Sequence, residues 1–106
     1  MSFVLLILYS REGCCLCQGL EKQLRSLPLD NLNPPLKLSV IDIDAVDTPK
    51  SVRDRYDLEV PVMLLRKVES KRIFELPRVS PRLNHEGLFK WLQKILTKTL
   101  GPGWNS

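Results

Sequence analysis

The chain has 106 residues, a formal net charge of +4 and three cysteines, all between positions 14 and 17. That length suits one domain with a single core, and so mild a charge, with no basic run interleaved with aromatics, argues against a nucleic-acid partner. Three cysteines within four positions exclude a framework of structural disulfides and point to a reducing compartment, where such a cluster is catalytic or metal-binding.

Phe3 to Tyr9 is an unbroken apolar run, which suits a central strand buried on both faces. It has no positively charged stretch before it and no small-residue cleavage site after it, and it is too short to span a bilayer. We therefore read it as a strand, and expect a cytoplasmic protein with no membrane partner. Arg11-Glu12-Gly13-Cys14-Cys15-Leu16-Cys17 follows directly and opens a helical pattern with Leu16, Leu20, Leu24 and Leu27, which Pro28 ends. Cys14 then falls where the first backbone N–H groups of a helix are unpaired, a setting that favours a thiolate. Cys17 lies one turn on, close enough to close a disulfide with it.

Leu29 to Pro35 is a loop rich in Asp, Asn and Pro, and Leu36 to Asp44 reads as a second strand, parallel to the first across a helical crossover. Asp47-Thr48-Pro49 predicts a helix start with a capping side chain, and Val52 and Tyr56 form the inward face of that helix. Val60 to Arg66 is a third strand with Pro61 at its start. Lys67 to Ser70 form a turn, and Lys71 to Leu76 a fourth strand closing an antiparallel hairpin. Asn84 looks like the cap of a last helix, with Leu83 and Leu88 placed as a hydrophobic staple and Leu88, Leu92, Ile95 and Leu96 on its buried face. The expected domain covers residues 1–100, with a flexible tail over 101–106.

The order strand–helix–strand–helix–strand–strand–helix, with Cys-x-x-Cys at the first helix and Val60-Pro61 opening the third strand, resembles the thioredoxin-fold superfamily. Within it the chain is similar to short single-domain glutaredoxin-like proteins, from Phe3 to about Thr97. The resemblance implies an α/β thioredoxin-like fold, a four-stranded mixed sheet with three helices in the order βαβαββα. It also implies a thiol–disulfide oxidoreductase acting on protein or low-molecular-weight disulfides, with Cys14 as nucleophile and Cys17 as resolving thiol. Val60-Pro61 would be a cis bond that docks a substrate segment. Arg11 matches the place of a glutaredoxin Lys that lowers the thiol pKa and helps hold a glutathione carboxylate. Leu8 stands where thioredoxins typically bury an Asp, which leans towards glutaredoxin.

The chain departs from that pattern at Cys15 and Leu16, and over Pro77 to Arg82, where glutaredoxins carry a Gly-Gly pair. In that stretch Arg78 and Arg82 are candidates to receive a substrate carboxylate, or else lie in a solvated loop. Glutathione and a thioredoxin-type reductase are both candidate electron donors, no bound cofactor is expected, and nothing demands more than a monomer. Cys15 reads as an additional exposed, oxidisable thiol, as a competing ligand, or as a small residue in the helix's first turn. No metal site is expected, because a fourth ligand is missing near the cysteines and His85 sits at a helix start. Asp42, Asp44 and Asp47 are explained by a strand end and a helix cap. The competing readings are a non-catalytic binding or adaptor module that keeps the fold, and a Cys-ligated metal or iron–sulfur carrier.

Overall fold

The computed structural model describes residues 4–32, 34–67, 72–80 and 82–100. Its elements, in order, are β1 (Val4–Ser10), α1 (Cys15–Ser26), β2 (Leu36–Asp42), α2 (Lys50–Tyr56), β3 (Val62–Lys67), β4 (Ile73–Glu75) and α3 (His85–Leu100), with a short 3-10 turn at Leu29–Asn31. The sheet order is β2-β1-β3-β4. β1 runs parallel to β2, with Val4 opposite Leu36 and Ser10 opposite Asp42, because α1 carries the chain back between them. β3 is antiparallel to β1, with Tyr9 opposite Val62, and β4 is antiparallel to β3. This connectivity is the thioredoxin-like fold.

Alternation along β1 divides the sheet's two faces. Leu6 and Leu8 are fully buried in the main core with Leu65 of β3, Leu24 of α1, and Leu88, Leu92 and Leu96 of α3. Tyr9 points the other way and stacks on Tyr56 of α2, ring centroids 5.5 Å apart. The sheet thus lies between α1 and α3 on one side and α2 on the other. Truncating a fully buried leucine such as Leu65 to alanine costs about 2–5 kcal/mol, enough to endanger a domain of this size.

Local chemistry sets the boundaries. α1 stops at Leu27, which Pro28 forces into an extended conformation (ψ 146°). Asn84 does cap α3: its Oδ1 accepts the Gly87 N–H at 2.8 Å and its carbonyl the Leu88 N–H at 2.9 Å. A Cβ at Gly87 would stand 3.0 Å from Leu83 Cδ2, so the small residue leaves room for Leu83 over this turn.

Four expectations are corrected, two of them strand ends: β2 stops at Asp42 rather than Asp44, and β3 begins at Val62 rather than Val60. α2 has no side-chain cap: Pro49 occupies that position, while Thr48 donates its hydroxyl to the Asp42 carbonyl at 2.7 Å and so fastens the loop to the end of β2. The fourth strand is shorter than Lys71 to Leu76, because regular pairing covers only Ile73–Glu75; Leu76 adds one further bond, from its N–H to the Met63 carbonyl. Residues 68–70 of the expected turn, Lys71 and the 101–106 tail lie outside the described residues.

Candidate active site

The cysteine turn hangs from the end of the central strand. Gly13 takes φ +84°, a left-handed conformation glycine reaches without a Cβ penalty, and the Cys14 N–H then donates to the Arg11 carbonyl at 3.1 Å. Cys14 is the N-cap of α1. Its carbonyl accepts the Gln18 N–H at 3.0 Å and its sulfur the Cys17 N–H at 3.2 Å, the part usually taken by a Ser or Asp oxygen. Its sulfur and that of Cys17 are 2.50 Å apart, at disulfide distance, with Cα atoms separated by 5.2 Å.

The three thiols occupy different surroundings. Cys17 is fully buried, Cys14 is half-buried and Cys15 is exposed. Burial pushes the Cys17 thiol up from its ordinary value, and the Cys14 sulfur adds to this. The Arg11 backbone N–H and the Ser10 hydroxyl act against that shift by favouring the Cys17 thiolate.

Beside this turn opens a cleft of about 700 Å³, a volume typical of ligand sites. Its walls are Cys15, Leu16 and Leu20 of α1, Pro61 to Met63, the stretch Leu76 to Ser80, and Leu88 of α3. Gln23, Glu59, Glu75 and Arg78 are its longer polar side chains. The Val60–Pro61 bond is cis, and Pro61 lines the cleft while Val60 lies half-buried beside it. The fold therefore brings Cys15, Pro61 and Arg78 to one cavity at the edge of the cysteine turn.

Arg82 is not part of that cavity. It is exposed, and its N–H donates to the Ser80 hydroxyl at 3.2 Å in a turn that leads the chain to the α3 cap. Arg78 does line the cleft, with one guanidinium nitrogen on the Glu59 carbonyl at 2.7 Å. Arg11 lies elsewhere than a bare cation beside Cys14 would. Its Nε and Nη2 donate to the Asp44 carboxylate at 2.7 and 3.0 Å, and its Nη1 donates to the Asp57 carbonyl at 2.8 Å. Nη2 also donates to the Asp57 carboxylate. Two carboxylates thus offset one guanidinium, and the Arg11 hydrogen bonds hold the Asp44 carboxyl below its usual range.

Asp44 had only a strand-end role in the sequence, and Ser10, Asp57 and Glu59 carried no signal there. The parts of Asp44, Asp57 and Glu59 come from contacts between separated segments, and that of Ser10 from its contact with Cys17. Glu75 is likewise placed by a distant residue, accepting the Tyr56 hydroxyl at 2.7 Å. Among the described residues no group of three His, Cys, Asp or Glu side chains is arranged to hold a metal ion, and no helix is long and apolar enough to cross a membrane.

The family model for the glutaredoxin-like domain (DUF836) matches residues 5–93, from the first strand into the last helix. The chain belongs to the glutaredoxin-like domain family. Two solved structures are similar to it. A structural-genomics target protein from X. campestris is 25% identical, covering 84% of this chain and 96% of its own, with a TM-score of 0.47. A malarial protein is 15% identical over 87% of this chain and 96% of its own, with a TM-score of 0.55, a likeness of fold. No curated protein matches the chain. Membership of the glutaredoxin-like family and a Cys14–Cys17 pair at disulfide distance together suggest a redox role.

Proposed function

We propose that this glutaredoxin-like protein is a thiol–disulfide oxidoreductase whose working pair is Cys14 and Cys17. The observation that carries the reading is the asymmetry of a pair held at disulfide distance, one sulfur half-buried at the helix start, next in sequence to the cleft-lining Cys15, and the other fully buried. In the reducing direction the Cys14 thiolate attacks a substrate disulfide, R–S–S–R′. A Cys14–S–S–R bond forms, and R′–S⁻ leaves and takes a proton from water. Cys17 loses its proton and attacks the Cys14 sulfur, which closes the Cys14–Cys17 disulfide and releases R–S⁻. The substrate gains two electrons and the dithiol loses two. A thiol donor, either glutathione or the dithiol of a reductase, returns them.

The cleft supports substrates with an apolar flank. Its walls are leucine, valine, methionine and proline side chains, and Pro61 is the docking element, as in the family pattern. Arg78, Glu59 and Glu75 supply the polar contacts. Protein disulfides fit this lining as well as small ones do.

Equilibration of the intact protein in glutathione buffers, read by mass spectrometry, tests the assignment. A reversible two-electron step assigned to Cys14 and Cys17, near the glutaredoxin range of roughly −200 to −230 mV, is the expected result. Failure of that disulfide to form at any poise would overturn the dithiol reading.

A further inference from the structure

The segment from Asp57 to Pro61 connects α2 to β3 and carries the proline of the cleft. Its carbonyls at both Asp57 and Glu59 are taken by arginines from other parts of the chain. Arg78, from the stretch after β4, holds the Glu59 carbonyl at 2.7 Å. Arg11, from the cysteine turn, holds the Asp57 carbonyl at 2.8 Å and the Asp57 carboxylate as well. Asp57 is the C-cap residue of α2, so the guanidinium also meets the negative end of that helix.

The other end of Arg11 is equally committed. Its backbone carbonyl receives the Cys14 N–H at 3.1 Å and so forms the cysteine turn itself. Its remaining guanidinium face grips Asp44 in the loop after β2 through two hydrogen bonds. Single exposed ion pairs contribute little, but this is a planar fork bridging three loops, with its side chain only 29% exposed. Antiparallel pairing of Tyr9 with Val62 means that the chain running back through Pro61 and Val60 reaches the end of β1 where this turn begins. One side chain therefore couples the redox turn to the proline segment.

We propose that Arg11 is a positioning residue, which locks the Asp57–Pro61 segment to the cysteine turn and so sets where a docked disulfide meets Cys14. The inference rests on the exchange reading above, and it gives Arg11 a role in holding substrate geometry rather than in supplying charge to the thiol. The fork is the essential feature, since a lysine ammonium keeps the charge but cannot span Asp44 and Asp57 together.

The test is single-turnover oxidation of the reduced full-length protein by two disulfides. One is bis(2-hydroxyethyl) disulfide, too small to need the proline segment, and the other is a disulfide-bonded peptide with apolar flanks. Arg11→Met is expected to raise the half-saturation concentration for the peptide roughly tenfold, while the small disulfide reacts within about twofold of wild type. Arg11→Lys is expected to behave as Arg11→Met. Asp57→Ala, which also carries the test if Arg11→Met fails to fold, is expected to raise the peptide value several-fold, and adding it to Arg11→Met is expected to have little further effect. Wild-type peptide saturation in Arg11→Met, equal losses for both disulfides, or full rescue by Arg11→Lys would each overturn the positioning role while leaving the exchange reading intact. Where Asp57→Ala stands alone, wild-type peptide saturation overturns it too. A wild-type protein inert towards both disulfides overturns the exchange reading, and the positioning role with it.

Discussion

Cys15 and Cys17 stand two positions apart on the first turn of α1 and face nearly opposite ways, Cys15 exposed at the cleft and Cys17 completely buried. In the fully reduced protein, timed alkylation followed by mass spectrometry should label Cys15 before Cys17. Burial raises the Cys17 thiol above its ordinary value, so its thiolate is scarce at neutral pH and its labelling should accelerate only on the alkaline side of about pH 8.5. Labelling of Cys17 at the rate of Cys15 at pH 7 would contradict both its burial and its raised pKa.

Removal of the resolving thiol should leave the first half of the exchange running. Cys17→Ser should accumulate mixed disulfides on Cys14, visible on a non-reducing gel and mapped by peptide sequencing. Cys14→Ser should lower single-turnover exchange by roughly a thousandfold or more, as loss of a nucleophile does. Retention of full exchange in Cys14→Ser would reverse the roles assigned to the pair.

Gly13 shapes the cysteine turn through its backbone, since a Cβ placed there meets no atom within 4 Å at φ +84°. Gly13→Ala should therefore destabilise the fold by about 1–2 kcal/mol through conformation alone. Calorimetry should show a Tm lower by several degrees. Gly13→Asn should lose less, because asparagine visits the left-handed region more readily. Equal losses for the two variants would point to a steric cause instead.

The Arg11–Asp44 pair gives the acid limb of stability a sign. Asp44 is held below the usual carboxylate range by Arg11, so its contribution is present above the unfolded value of about 4. That contribution disappears as pH falls from there through the lower folded value. Denaturant midpoints between pH 2 and 6 should decline less steeply in Asp44→Asn than in wild type. Parallel acid limbs would show that the pair carries no net linkage.

The frame of the molecule was legible because it is written in local periodicity. The apolar run before Arg11, the leucines spaced along α1 and the proline opening β3 each mark an element by its own composition. Asn84 declared its cap for the same reason. The ties between segments left no such trace: Arg11 and Asp57 lie 46 positions apart, and nothing periodic relates a guanidinium to a carboxylate at that distance. Arg11 was legible as a cation near Cys14 but not as a clamp, because a residue's charge is in the sequence and its direction is not. Arg78 and Arg82 looked equivalent on paper. Only the turn at Ser80 separates them, one on the cleft and the other outside it.

The sulfur that opens α1 also closes its first turn, since Cys14 Sγ accepts the Cys17 amide. A thiolate is a strong, charge-assisted acceptor and a disulfide sulfur a feeble one. In the dithiol this hydrogen bond closes the first turn; in the disulfide the S–S bond ties the same two residues and the hydrogen bond weakens. The electron count of the site is written on a single backbone proton, and the Cys17 amide resonance, with its exchange rate against solvent, reads it without any added label.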